Sequence, residues 1–141
     1  MKPIRILIAD DHDLFRAGLH ALLSDMPGFE VIAQAGDGQE ALRLLRERRP
    51  DVVIMDLMMP GLNGLEATAR IVKEFPNVRV LVLSMNASEE FVLPAVRAGA
   101  SGYLLKNVKP AGLERAIRAA AKGETYLSPA ISGHVMEDYR R

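Results

Sequence analysis

The chain alternates short runs of aliphatic, mostly β-branched residues with longer stretches whose apolar positions recur at helical spacing. Strand candidates are Ile4–Ala9 (IRILIA), Phe29–Ala35 (FEVIAQA), Val52–Asp56, Val78–Ser84 (VRVLVLS) and Ser101–Leu105 (SGYLL). Between them, Leu14, Phe15, Leu19, Leu22 and Leu23 line one helical face, and Ala41, Leu42, Leu44 and Leu45 a second. Leu65, Thr68, Ile71 and Val72 line a third, and Leu113, Ala116, Ile117 and Ala120 form the cleanest stripe of all. Asp37-x-x-Glu40 and Asn63-x-x-Glu66 have the form of capping boxes, Asp13 stands where the first helix wants a cap, and Pro110 suits a first helical turn. Gly28, Gly99 and Gly123 are placed to turn the chain at or just beyond helix ends. The segment Ser88–Ala98 carries Pro94 in its interior, which costs roughly 3 kcal/mol in a regular helix. That helix is therefore expected to be kinked or divided. After Gly123 the remainder is too short for a domain, with Ser128-Pro129 as a cap and start for one short helix.

Five strands alternating with five helices predict an α/β domain of (βα)5 type, a doubly wound parallel sheet covered on both faces. Right-handed crossovers leave few topologies, and the common five-stranded one is the flavodoxin-like order 2-1-3-4-5. It sets the first and third strands side by side at the switch point, where ligands bind outside the carboxyl ends of strands. Asp10-Asp11 ends the first strand and Asp56 the third, so three carboxylates converge there.

Composition narrows the chemistry. The 141 residues carry 18 basic and 18 acidic side chains, so bulk charge makes no case for nucleic acid or an anionic membrane. There is no cysteine, which removes disulfides and thiolate metal sites. No apolar run reaches membrane-spanning length, and MKPIRILIADD turns acidic too soon for a signal peptide, so a cytoplasmic location is expected.

Asp56 lies in VVIMDLMMPGLNG, a single charge at the rim of an apolar strand with no basic neighbour in sequence. Three carboxylates in one crevice repel one another and call for a cation. Hard oxygen ligands with room for water suit Mg²⁺, and a divalent cation beside an aspartate invites a phosphoryl group. Ser84, closing the fourth strand, offers a hydroxyl donor to a phosphoryl oxygen, and Lys106, after GYLL, a point positive charge. Taken singly, these residues have plainer readings. Asp10 and Asp11 would cap a helix, Ser84 would be a satisfied strand-end hydroxyl, and Lys106 a solvated lysine. His12 reads as a solvated loop residue, Tyr103 as a core aromatic with its hydroxyl at the rim, and Met55, Met58 and Met59 as core or rim packing.

The segments IADDHDLFRAGL, DVVIMDLMMPGLNG, VLVLSM and AGASGYLLK together resemble the receiver domain of two-component response regulators, across residues 4–122. The strand order is a known property of receivers and of flavodoxin, not something derived from this chain. The resemblance implies that Asp56 accepts a phosphoryl group from a sensor histidine kinase. It implies an Mg²⁺ pocket of Asp10, Asp11, Asp56 and the backbone carbonyl of Met58. Ser84 would be the switch hydroxyl, Lys106 the phosphoryl-binding lysine and Tyr103 an aromatic switch that turns inward. Such a domain catalyses its own phosphotransfer and slow dephosphorylation but is not a turnover enzyme. AGASGYLLK and the later TYLSPAI resemble the NarL/FixJ subfamily with LuxR-type output, and Asn107, where many receivers have proline, fits it. Residues 1–123 are then expected to be the receiver and 124–141 a linker toward an absent helix-turn-helix domain, the route to DNA. A homodimer is possible through either the first and fifth helices or the face of helix 4, strand 5 and helix 5. Met58 cannot orient an attacking water, so slow self-dephosphorylation is expected.

Other classes fit less well. An aspartate-nucleophile phosphohydrolase wants a second acid two residues after the nucleophile, where this chain has Met58. A flavin or nucleotide module wants a Gly- or Ser/Thr-rich loop after the first strand, where this chain has DDHD. A stand-alone receiver is the remaining alternative.

Overall fold

The apolar runs form one parallel sheet, but with six members rather than five. In a computed structural model that describes residues 2–140, the elements in chain order are β1 (Ile4–Ala9), α1 (Asp13–Ser24), β2 (Phe29–Ala35), α2 (Gly38–Arg48), β3 (Val52–Met55) and α3 (Gly64–Glu74). They continue as β4 (Arg79–Ser84), α4 (Glu89–Arg97), β5 (Gly102–Leu105), α5 (Pro110–Ala121), β6 (Tyr126–Leu127) and α6 (Pro129–Arg140). The sheet order is β2-β1-β3-β4-β5-β6 with every neighbouring pair parallel. The first five strands keep the expected 2-1-3-4-5 arrangement. The sixth, two residues long, was invisible to periodicity.

Central strands are buried on both faces, which is why they read as unbroken apolar runs. Alternation then sorts their side chains into two cores. Ile6, Ile8, Val52, Ile54, Leu81, Leu83 and Leu104 face Leu19, Leu23, Leu113 and Ile117 of α1 and α5. Leu7, Val53, Met55, Val80, Val82 and Tyr103 face Leu42 and Leu45 of α2, Ile71 of α3, Val92 and Ala95 of α4, and Ile131 of α6.

Most helix signals behave as expected. Asp37 and Asn63 accept hydrogen bonds from the backbone N–H of Glu40 and Glu66, at 2.8 and 2.9 Å, and Pro110 opens α5. Gly28, Gly99 and Gly123 all take positive φ, 86°, 104° and 81°. Asp13 differs: it is the first residue inside α1, with His12 at the cap position, and it pairs with Arg16 at 2.9 Å. Helix α4 is not divided: it continues through Pro94 as one element. The missing N–H would have bonded the carbonyl of Glu90, an exposed residue whose freed oxygen is open to solvation. Beyond the proline the ladder resumes, with the Ala98 N–H on the Pro94 carbonyl at 2.9 Å. Val92, Leu93 and Ala95 bury the helix on the core.

Strand register sets the site. Ala9 pairs with Met55, so β1 and β3 end level and Asp10 and Asp56 emerge together, whereas β4 runs two residues past Val82, the partner of Met55, to Ser84, which pairs with Leu105 at the end of β5. Backbone bonds carry the alignment past the strand ends: Asp10 N–H to Ala35 at 3.0 Å, Asp56 N–H to Ala9 at 3.0 Å and Lys106 N–H to Ser84 at 2.8 Å. Gly64 closes the loop after β3, because a Cβ there would overlap the carbonyl oxygen of Asp56.

Candidate functional site

Asp10, Asp56 and Lys106 meet at the carboxyl ends of β1, β3 and β5, and their side chains are almost fully buried, 4% exposed for each acid and 6% for the lysine. Lys106 Nζ lies 2.8 Å from Asp10 Oδ2 and 3.5 Å from Asp56 Oδ2. The same ammonium sits over the ring of Phe15 on α1, 4.5 Å from its centre, which fixes the lysine from behind. Asp10 is held by its own loop: Oδ1 accepts the His12 backbone N–H at 2.8 Å, and the Arg16 guanidinium donates to its carbonyl oxygen.

Asp56 is held less completely. Its Oδ1 accepts the Met58 N–H at 3.3 Å, while its buried Oδ2 has no hydrogen-bond partner. Burial pushes the carboxyl above its ordinary range, and the charge of Asp10 pushes the same way. Lys106 and the Met58 N–H oppose that shift without cancelling it. An under-coordinated carboxylate beside a second acid is a site in want of a cation or an electrophile.

Of the expected ligands, the carboxylates of Asp10, Asp11 and Asp56 gather at the strand ends. One ligand atom each from Asp10, Asp11, His12 and Asp56 lie within 4.8 Å of one another. The orphaned Asp56 oxygen and this set of hard donors fit a divalent cation. His12, read from the sequence as a solvated loop residue, was missed as a member of this cluster. Its ring is mostly exposed, yet Nδ1 lies 3.1 Å from Asp10 Oδ1 and 3.6 Å from Asp11 Oδ1. Arg16 and Phe15 were likewise missed as supports; their only signal is a position one turn into the helix that follows the acids. Met55 and Met59 are core, whereas Met58 is 57% exposed at the mouth.

Ser84 and Tyr103 are both buried and share one partner residue, Asn86 in the loop after β4. Ser84 Oγ accepts the Asn86 N–H at 3.1 Å, and the Tyr103 hydroxyl donates to the Asn86 carbonyl at 2.6 Å. Tyr103 thus points inward. Burial pushes the pKa of its phenol above the ordinary value, with the Asp56 charge adding to the effect and the Ser84 hydroxyl opposing it.

Comparison with known proteins agrees with this geometry. Residues 6–118 match the response regulator receiver domain family. The transcriptional regulatory protein DegU of Brevibacillus brevis is 42% identical over 140 residues, 99% of this chain and 59% of its own length. LiaR of Bacillus subtilis (strain 168) is 44% identical over 137 residues, 97% of this chain and 65% of its own. A LuxR-family two-component response regulator from Aurantimonas sp. SI85-9A1 has a solved structure with a TM-score of 0.91 at 41% identity, covering 99% of this chain and 100% of that one. The chain spans about three fifths of the length of the curated relatives it matches. In strand order, strand-end chemistry and sequence, the chain belongs to the response regulator receiver domains of the LuxR-family type.

Proposed function

We propose that Asp56 is the phosphoacceptor and that Lys106, Ser84 and Tyr103 read its state. The observation that carries this reading is the buried Asp56 Oδ2, which lacks a hydrogen-bond partner and lies 3.5 Å from Lys106. A carboxylate oxygen of Asp56 attacks the phosphorus of a phosphorylated histidine on a sensor kinase. The new P–O bond forms as the P–N bond breaks, and the imidazole nitrogen leaves with the bonding pair and is reprotonated. Lys106 shifts from Asp10 toward the phosphoryl oxygens, and Ser84 turns its hydroxyl hydrogen to one of them. Receiver domains bind Mg²⁺ at an acidic cluster of this kind; here Asp10, Asp11, Asp56 and the Met58 carbonyl would hold it, and it would neutralise charge on the transferred group.

Receivers in general take part in signalling rather than turnover, with histidine kinases as partners. For this chain the reading extends to residues 1–123 as the receiver and to the remainder as the lead toward an output domain. Likeness to the transcriptional regulatory proteins DegU and LiaR supports phosphorylation-controlled transcription, with DNA contacted only through that output domain. Among the described residues no helix is long and apolar enough to cross a membrane, in keeping with a cytoplasmic role.

The test is incubation with acetyl phosphate, with and without Mg²⁺, followed by intact mass. One base-labile phosphoryl adduct, dependent on Mg²⁺ and absent from Asp56→Asn, is the expected result. Steady release of phosphate without an adduct would replace this reading by a phosphohydrolase.

A further inference from the structure

Residues 126–140 fold back on the domain beside Tyr103. Tyr126 and Leu127 pair in parallel with Gly102 and Tyr103, and the Tyr126 N–H donates to the Ser101 carbonyl at 3.0 Å. A Cβ on Gly102 would lie 2.6 Å from the Tyr126 carbonyl oxygen and 2.7 Å from Leu81 Cδ1, so this close approach needs a glycine. Helix α6 then packs on α4. Ile131 is fully buried in the same apolar cluster as Tyr103, Val92 and Ala95, with Leu127 and Val135 packed against it. At the far end Arg97 of α4 donates to Asp138 of α6 at 2.6 Å.

Register partners in a parallel pair project to the same face, so Leu127 flanks the Tyr103 ring. In a sheet ending at β5, that flank would be an open edge past which the ring could swing out of the core. Here β6 closes it. We infer that residues 126–140 are an intramolecular ligand of the α4–β5 face that holds Tyr103 inward, so that tail docking and phosphoryl occupancy at Asp56 reinforce each other. The inference rests on the reading of Asp56 and Tyr103 proposed above. The physical link is short: Tyr103 holds the Asn86 carbonyl, and the Asn86 N–H holds Ser84 Oγ. Whatever fixes the ring fixes the loop that Ser84 must use. By linkage, a tail that favours the inward ring strengthens binding of a phosphoryl group, and a phosphoryl group strengthens tail docking by the same factor. A partner that recognises the α4–β5 face must first displace the tail.

The experiment titrates beryllofluoride, an inorganic phosphoryl mimic, in the presence of Mg²⁺. The proteins are wild type, Ile131→Glu, Arg97→Glu and the charge swap Arg97→Glu/Asp138→Arg, with hydrogen exchange recorded over residues 126–140. Affinity should fall about five- to tenfold in Ile131→Glu. It should fall less in Arg97→Glu and recover in the swap. In wild type the mimic should slow exchange of the tail amides, and in Asp56→Asn it should not. The inference is overturned if the mimic binds wild type and leaves tail exchange unchanged, or if Arg97→Glu and its swap bind it equally while their tails differ in exchange. Failure of wild type to bind at all would remove the assignment of Asp56, and this inference with it.

Discussion

The hydroxyl of Tyr103, on β5, donates to the carbonyl of Asn86 at 2.6 Å and ties the fifth strand to the loop after the fourth. Removing only that oxygen, in Tyr103→Phe, keeps the packing and deletes the bond to Asn86 together with the hydroxyl's interaction with Ser84. Unfolding free energy should fall by about 1 kcal/mol. Tyr103→Ala should cost about 3–5 kcal/mol, since the ring is fully buried. Urea denaturation of both variants distinguishes the two losses.

Asp56 should make the metal-free protein less stable at neutral pH than Asp56→Asn. Its folded pKa is raised, chiefly by burial, so the folded state holds the proton more tightly than the unfolded chain. Stability attributable to this group is present below the ordinary carboxylate value, about 3.9, and is lost as pH rises through the raised folded value. The advantage of Asp56→Asn should therefore be absent in acid and full at neutrality. Parallel melts across pH in the presence of a chelator test the sign, and an advantage that grew toward acid would contradict it.

Lys106 supplies the one ammonium within 4 Å of both Asp10 and Asp56 among the described residues. Lys106→Met keeps an apolar side chain of similar length beside Phe15 but leaves two buried carboxylates facing each other. A loss of about 3–5 kcal/mol is expected without metal, the range for breaking a buried charge pair. Mg²⁺ should recover more stability in this variant than in wild type, because a cation replaces the missing charge. Equal recovery in the two proteins would place the lysine outside the cation's field.

Divalent metal should stabilise the wild type by mass action, about 2.7 kcal/mol at a hundredfold excess over its dissociation constant. Asp10→Asn and Asp11→Asn should each reduce the gain, and chelation should reverse it. Thermal melts over an Mg²⁺ series, with Ca²⁺ as comparison, give the measurement.

Met58 stands exposed two residues beyond Asp56, with its backbone N–H on the carboxylate. An apolar side chain there cannot orient water for attack on the acyl phosphate. Met58→Asn should shorten the phosphoryl lifetime by supplying a polar group that positions the attacking water. Decay of the labelled adduct reads this directly; an unchanged half-life would clear Met58 of the role.

Much of this site was readable before any coordinates. Asp10, Asp56 and Lys106 each follow a strong apolar run and Ser84 closes one, and a parallel sheet brings the carboxyl ends of such runs to one edge. Strand β6 was not readable, because two residues have no period, and its pairing depends on the absent side chain of Gly102. The continuity of α4 was not readable from propensity alone, since a buried face holds the helix together across Pro94. His12, Phe15 and Arg16 escaped for a different cause. Their roles depend on rotamers chosen by tertiary neighbours, and nothing in a stripe of apolar residues records which way a ring at its edge will turn.

The sheet also separates two kinds of mechanical behaviour. Tyr103 projects into the core shared by α2, α3, α4 and α6, whereas α1 and α5 pack on the opposite core and contribute no group to the Ser84–Asn86–Tyr103 relay. One side is a chassis and the other a moving part. Substitutions confined to opposite sides share few neighbours, so their free energies should add. Apart from Phe15 and Arg16, which brace Lys106 and Asp10, a lineage can then rework the helix surfaces on the α1 and α5 side without retuning the relay.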